Sequence, residues 1–190
     1  MNGFPPRRRR GVRMPRTLTE KAVVLVVGAV LAYLFGVWTG PEAPRGSRSR
    51  DYPEVVRGRA LVNDGDSIEI ARTRIRLYGI DAFERDQLCG RADGTRFPCG
   101  QVAKVTLERL VGNASLTCEK RDVDVYGRMV ARCMLGQTDL AAELVREGVA
   151  LAYRQYSQDY TDEEDDARVS RRGAWDGKFT TPWDYRQDGR

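Results

Sequence analysis

Apolar and polar positions alternate strictly over Ser67-Ile68-Glu69-Ile70 and Thr73-Arg74-Ile75-Arg76-Leu77, which predicts two strands joined by a short turn. Val55 to Asn63 reads as a strand before them. The period then changes: Ala103, Leu107, Leu110 and Val111 fall at helical spacing within 101–111, and Gly112-Asn113 ends the run. Leu116 to Glu119 and Met129 to Leu135 return to strand character on either side of a turn at 124–127. Thr138 or Asp139 is placed to cap a second helix with Leu140, Ala141, Leu144 and Val145 on one face, stopped at Gly148. A third helix over 161–172 opens acidic and closes on Arg171-Arg172 before Gly173, the polarity that a helix dipole favours. No internal repeat is visible. Three strands, a helix, two strands and two helices predict an α+β domain: a five-stranded OB-fold-type β-barrel with about three attached helices.

A different apolar pattern precedes this domain. Ala22 to Trp38 is an uncharged run of 17 residues, 19 with Thr39 and Gly40, which is at the short end of what crosses a bilayer as a helix. It is longer than a signal-peptide core and has no polar face. Seven positive side chains flank it between Arg7 and Lys21, and Tyr33 and Trp38 suit the far interface. The expected organisation is a basic cytoplasmic tail (1–21), one transmembrane or signal-anchor helix (22–40), a Pro/Gly/Ser/Arg linker (41–52) and the folded domain (53–190). The positive flank keeps the tail inside, so the domain is expected outside the cytoplasm, or secreted if the segment is cleaved. No clean small-x-small cleavage site is present, which favours an anchor.

Charge changes the picture. The whole chain is +5, but residues 1–50 hold 10 Lys/Arg against 2 Asp/Glu. Residues 51–190 are left with 22 basic and 25 acidic side chains, a net of −3. The basic character belongs to the tail and is no sign of a nucleic-acid surface on the domain. The chain has no His, which removes His-ligated zinc, His general bases and every Ser-His or Cys-His triad.

All four cysteines lie in the part expected to be exported. If Asp124 to Gly127 tips a hairpin, residues whose numbers sum to 251 face each other, and Cys118 and Cys133 do so. Cys89 and Cys99 then close a Gly/Asp/Pro-rich loop.

Three islands carry candidate chemistry. Asn63-Asp64-Gly65-Asp66-Ser67 is a tight turn ending in a carboxylate at a strand start. The stretch from Arg76 to Glu84 is a strand running into Asp81, with Glu84 three residues on. Asp124-Val125-Tyr126-Gly127-Arg128 is a charged turn. In this order and spacing they resemble the staphylococcal-nuclease family, whose pattern is Asp-Gly-Asp, then Arg with Asp-x-Pro-Glu following, then Tyr-Gly-Arg. The likeness covers about residues 55–185, including Arg171 to Trp175 and Pro182-Trp183.

The resemblance implies Ca²⁺ held by Asp66, Asp81 and the carbonyl of Ala82, all hard oxygen donors. It implies phosphate contacts from Arg76 and Arg128, whose planar guanidiniums suit paired oxygens. Glu84 is matched with the residue that orients or deprotonates the attacking water. Tyr126, Tyr153 and Tyr156 are expected against a base or sugar. One departure stands in the motif: Phe83 replaces the family Pro before Glu84, leaving that turn freer, with its ring available to pack on the barrel. The Cys89–Cys99 bridge is expected to restore stiffness there. The implied function is Ca²⁺-dependent cleavage of DNA and RNA with little sequence preference, by a monomer with no obligate protein partner. The alternative is a catalytically inactive module that only binds nucleic acid or a protein.

Overall fold

A computed structural model describes residues 51–189. The tail and the apolar run of 22–40 lie outside the described residues, among which no helix is long and apolar enough to cross a membrane. Tyr52, assigned by sequence to the linker, is buried at 6% exposure and donates its hydroxyl to the carbonyl of Gly127 at 2.6 Å.

The predicted strand over 55–63 is two strands, Val55–Arg59 (β1) and Leu61–Asp64 (β2), separated only by Ala60. The alternating pair appears as predicted, Ser67–Ile70 (β3) and Thr73–Leu77 (β4). Next come Ile80–Ala82 (β5) and a small ribbon of Cys89–Gly90 (β6) and Arg96–Phe97 (β7). The helix Cys99–Val111 (α1) leads to the hairpin Ser115–Val123 (β8) and Met129–Leu135 (β9). Thr138–Asp139 (β10), Leu140–Arg146 (α2), Ala150–Ala152 (β11), Thr161–Val169 (α3), a 3₁₀ turn at Gly173–Asp176 and Pro182–Asp188 (α4) complete the described chain.

The main sheet has the order β1-β8-β9-β4-β3-β2. Its two edges, β1 and β2, are consecutive halves of one bent stretch, so the sheet curls round on itself as an OB-type barrel requires. The bend needs a glycine. Gly58 has φ +150°, and a Cβ there would stand 2.9 Å from Ile70 Cγ2. Along β3 and β4, Ile68, Ile70, Ile75 and Leu77 point inward and are at most 1% exposed. They meet Leu107 of α1, Leu116, Met129, Leu140 and Leu144 in one core, each such side chain contributing about 1.5–3 kcal/mol by leaving water.

Asp139 organises the far side. It caps α2 by accepting from Ala141 N at 3.0 Å, and its other oxygen accepts from Arg132 Nε (2.7 Å) and the Tyr160 hydroxyl (3.0 Å). Burial beside that carboxylate pushes the Tyr160 phenol well above its usual range.

The hairpin pairs Cys118 with Cys133 as the sequence predicts, with Cα atoms 4.0 Å apart, and Cys89 bonds Cys99 with Cα atoms 5.6 Å apart. Beyond Lys120 the register shifts through a bulge. The predicted third helix ends at Val169 rather than 172, because Arg171 turns to φ +52°. Among the described residues four α-helices stand where about three were expected, α4 being the additional one.

The Cys118–Cys133 bridge closes a loop of sequence separation 15, for which chain-entropy reasoning gives about 3 kcal/mol. The double variant C118S/C133S should lose about 2–4 kcal/mol in urea unfolding. An unchanged midpoint would mean that the ladder alone holds the hairpin.

Candidate active site

The turn between β2 and β3 delivers Asp66, β4 delivers Arg76, and β5 delivers Asp81. The strand β5 is held by an antiparallel ribbon with β11, in which Asp81 faces Leu151. Asp66 and Asp81 are 5% and 0% exposed, so each must be paired. Asp66 Oδ1 accepts from Ser67 Oγ (3.0 Å) and Arg76 Nη1 (3.2 Å), while Oδ2 accepts from Ala82 N (3.0 Å) and meets Arg76 Nη2 at 2.9 Å. Arg76 Nη2 also reaches Asp81 Oδ1 at 2.5 Å. Burial works against the Arg76 charge, but Asp66 and Asp81 hold its pKa above the ordinary guanidinium value.

Glu84 is fixed by its backbone. Its carbonyl accepts from Gln87 N (2.8 Å), and its N–H donates to Gln87 Oε1 (3.1 Å). Gln87 is fully buried and donates Nε2 to the carbonyl of Thr180 at 2.7 Å. From the other side, Gly100 at the start of α1 packs so closely that a Cβ would stand 1.7 Å from the Glu84 carbonyl oxygen. Cys99 Sγ lies 3.4 Å from the Gln87 carbonyl oxygen, so the predicted bridge does sit against this turn. Gln87, Gly100 and the bridge thus all bear on the turn that lacks the family proline. Phe83 corrects the expectation for its ring. It packs not on the barrel core but in a second apolar cluster, edge-on to Phe179 with ring centres 5.3 Å apart.

The 124–127 turn presents Arg128. Asp124 accepts from Tyr126 N (3.0 Å), Arg128 N (2.8 Å) and Arg128 Nε (2.6 Å). Burial tends to raise the Asp124 carboxyl, yet the bonds from Arg128 and Tyr126 hold it below the usual carboxylate range. A cleft of about 680 Å³ is lined by Asp66, Arg76, Glu84 and Arg128 together with Tyr126, Tyr153 and Tyr156. Tyr126 and Tyr156 are open, at 73% and 71% exposure. Tyr153 is covered on one side, its ring stacked on Trp183 at 5.4 Å and 13°. Burial, Asp81 and Tyr156 raise its phenol pKa.

Sequence reasoning missed one residue in the cleft. Arg186, on α4, donates Nη1 to Asp81 Oδ1 (3.2 Å) and Glu84 Oε1 (2.6 Å), and Nη2 to Asp81 Oδ2 (2.6 Å). These bonds raise its pKa well above the ordinary value against the effect of burial. The one local signal marks its helix and not the residue: Thr181 before Pro182 is a cap followed by proline at the first helical position, and Thr181 Oγ1 does accept from Asp184 N.

The donor set of Asp66 and Asp81, with the backbone of Ala82 alongside, fits a hard divalent cation. As the side chains stand, all four carboxylate oxygens of the two aspartates are engaged by protein donors. Among the described residues, no group of three or more acidic or thiol side chains converges as a metal cage would.

The Staphylococcal nuclease homologue family matches residues 74–177, and the chain belongs to that family. A protein of Oryza sativa subsp. japonica named "Probable staphylococcal-like nuclease" is 28% identical over 137 residues, covering 70% of this chain and 34% of its own length. A succinoglycan biosynthesis protein of Rhizobium meliloti is 33% identical over 127 residues, covering 66% and 61%. A Haemophilus influenzae protein named "Uncharacterized endonuclease" is 29% identical over 136 residues, covering 68% of each chain. The chain thus spans about a third of the rice relative and six-tenths of the Rhizobium one.

Replacing Gln87 with Leu should expose the dependence of the Glu84 turn on one buried amide. Leaving the Glu84 N–H and the Thr180 carbonyl unpaired should cost about 1–3 kcal/mol each in denaturant unfolding, and a loss under 0.5 kcal/mol would show that water replaces the amide.

Proposed function

We propose that this chain is a Ca²⁺-dependent nuclease that hydrolyses phosphodiester bonds of DNA and RNA with little sequence specificity, on a domain tethered outside the cytoplasm. The observation that carries the reading is the gathering of Asp66, Arg76, Glu84 and Arg128 around one cleft, with Asp81 beneath them and open tyrosines on its wall. Family membership and relatives named as nucleases support it.

Phosphodiester hydrolysis needs an oriented water, neutralised phosphoryl oxygens and a stabilised leaving oxygen. Glu84, rigid in its backbone and half-open at its side chain, is suited to orient or deprotonate the water. Arg76 and Arg128 face the same cleft and stay charged at any working pH. When bound, Ca²⁺ supplies Lewis-acid stabilisation of the phosphoryl charge, held by Asp66, Asp81 and the Ala82 carbonyl. Tyr126 and Tyr156 offer sequence-tolerant stacking faces. Two disulfides among the described residues support an oxidising compartment, in keeping with the orientation expected from the basic tail.

The second reading is a catalytically inactive binding module. Arg186 favours it, since a guanidinium engages both Asp81 and Glu84. Digestion of single- and double-stranded DNA and of RNA, with Ca²⁺ and with chelator, separates the two. Cleavage that requires Ca²⁺ is expected, and binding without cleavage would establish the module.

Given cleavage, Glu84→Gln should lower kcat by about 10²- to 10⁴-fold with an unchanged unfolding midpoint. Arg76→Ala is the poorer probe, because it would leave the buried Asp66 without a cation, at a cost of about 3–5 kcal/mol, and take one of two from Asp81. Arg128→Ala, whose partner Asp124 is nearer the surface, should lower kcat/KM while the fold persists. A mild effect of both Glu84→Gln and Arg128→Ala would show that these roles are misassigned.

A further inference from the structure

Arg186 has no counterpart in the motif that carries the proposed chemistry, yet it makes three polar contacts in the cleft, two of them at 2.6 Å. Asp81 has no exposure, and both Arg76 and Arg186 bond its carboxylate. Three carboxylates and two guanidiniums leave this cluster one net negative charge. A divalent cation in place of Arg186 would bring it to neutrality, whereas a cation added beside Arg186 would leave it positive. The two cations therefore compete for the same oxygens.

The segment that carries Arg186 is tied down by specific contacts. Gln87, which fixes the Glu84 turn, also holds the carbonyl of Thr180. Phe179 packs on Phe83, Trp183 stacks on Tyr153, and Thr181 caps α4. Each anchor lies within seven residues of Arg186 along the chain; the contacts of Phe179, Thr180 and Trp183 rest on the cleft wall or on the Glu84 turn, while the Thr181 cap holds the start of α4 itself. Arg186 itself remains about one-third exposed at its side chain, so it can withdraw toward solvent without passing through the core.

We propose that α4 is an autoinhibitory clasp: Arg186 is an intramolecular cation that occupies Asp81 and Glu84, and the divalent metal must displace it to enter. The proposal rests on the metal-dependent reading above. A site that is closed for most of the time weakens the apparent affinity of its ligand by the open fraction, so a clasp closed nine times in ten costs about tenfold. Displacement also frees Arg186 at the mouth of the cleft just as the metal makes the site attractive to phosphate.

The test is Ca²⁺ titration by calorimetry on the full-length chain in detergent, with no substrate present. Arg186→Gln should bind Ca²⁺ about tenfold more tightly than the parent. Trp183→Ala, which keeps the arginine but removes an anchor of its helix, should shift affinity the same way by less, and it carries the test if Arg186→Gln does not fold. A structural role for Arg186 predicts unchanged or weaker Ca²⁺ binding in both variants, and that result overturns the clasp while leaving the nuclease reading intact. If neither parent nor variants bind Ca²⁺, the metal-dependent reading itself fails and the clasp with it.

Discussion

Asp81 sits on a short strand with its carboxylate cut off from solvent, and a carboxylate in that position is tolerated only if cations meet it there. Two arginines from distant parts of the sequence do so, Arg76 from the barrel and Arg186 from the C-terminal helix. Much else in the molecule serves this arrangement. The ribbon of β5 with β11 fixes the height of Asp81, and the bend at Gly58 closes the sheet whose strand β4 carries Arg76. Asp66 completes the grip by taking both guanidinium nitrogens of Arg76 and the amide of Ala82. The result is a cleft floor held by charge rather than by apolar packing.

The second cluster of buried residues gives this floor its rigidity at Glu84. Phe83, Cys89, Phe97, Cys99 and Leu151 pack with Trp175, Phe179 and Trp183 on the side of the barrel away from the main core. A proline before Glu84 would restrict one backbone angle. The phenylalanine found there instead anchors a loop and the C-terminal segment together, and Gln87 joins both to the Glu84 backbone. The motif departure is thus offset by packing that the motif does not contain. It also makes the C-terminal segment part of the site.

The legible and illegible parts of the sequence divide along physical lines. Elements with one face to the core and one to water were readable, because β3, β4 and α2 show clean periodicity. The Cys118–Cys133 pair was expected from a hairpin tip at 124–127, but next to the tip Val123 faces Met129 and Asp122 faces Val130, one residue out of that register, and it is the bulge between Lys120 and Asp122 that brings the two cysteines opposite each other. The carboxylates and Arg128 were found by motif spacing, and the cleft gathers them. The two-residue strands β6, β7 and β10 are too short to carry a period, and β5 and β11 were hidden for another reason. All three residues of β11 are buried, and all three of β5, so neither shows alternation. The polar half of β8, Lys120 to Val123, carries charges on both faces and likewise shows no period. Gln87 and Arg186 could not be found by pattern, since their roles depend on contacts 93 and 105 residues away in sequence.

Charge ties these observations to substrate. The domain is net negative, so long-range attraction cannot bring a polyanion to it. Within the cleft, Arg128 is largely committed to Asp124 and Arg76 to two aspartates, so little free positive charge faces an incoming phosphate. Under the proposed reading, exchange of one guanidinium for a divalent ion is the step that removes the net negative charge of the site. By linkage, whatever the metal does for phosphate affinity, phosphate must do equally for metal affinity. A cleft whose resting state is closed by its own arginine would then respond to metal and nucleic acid together, and weakly to either alone.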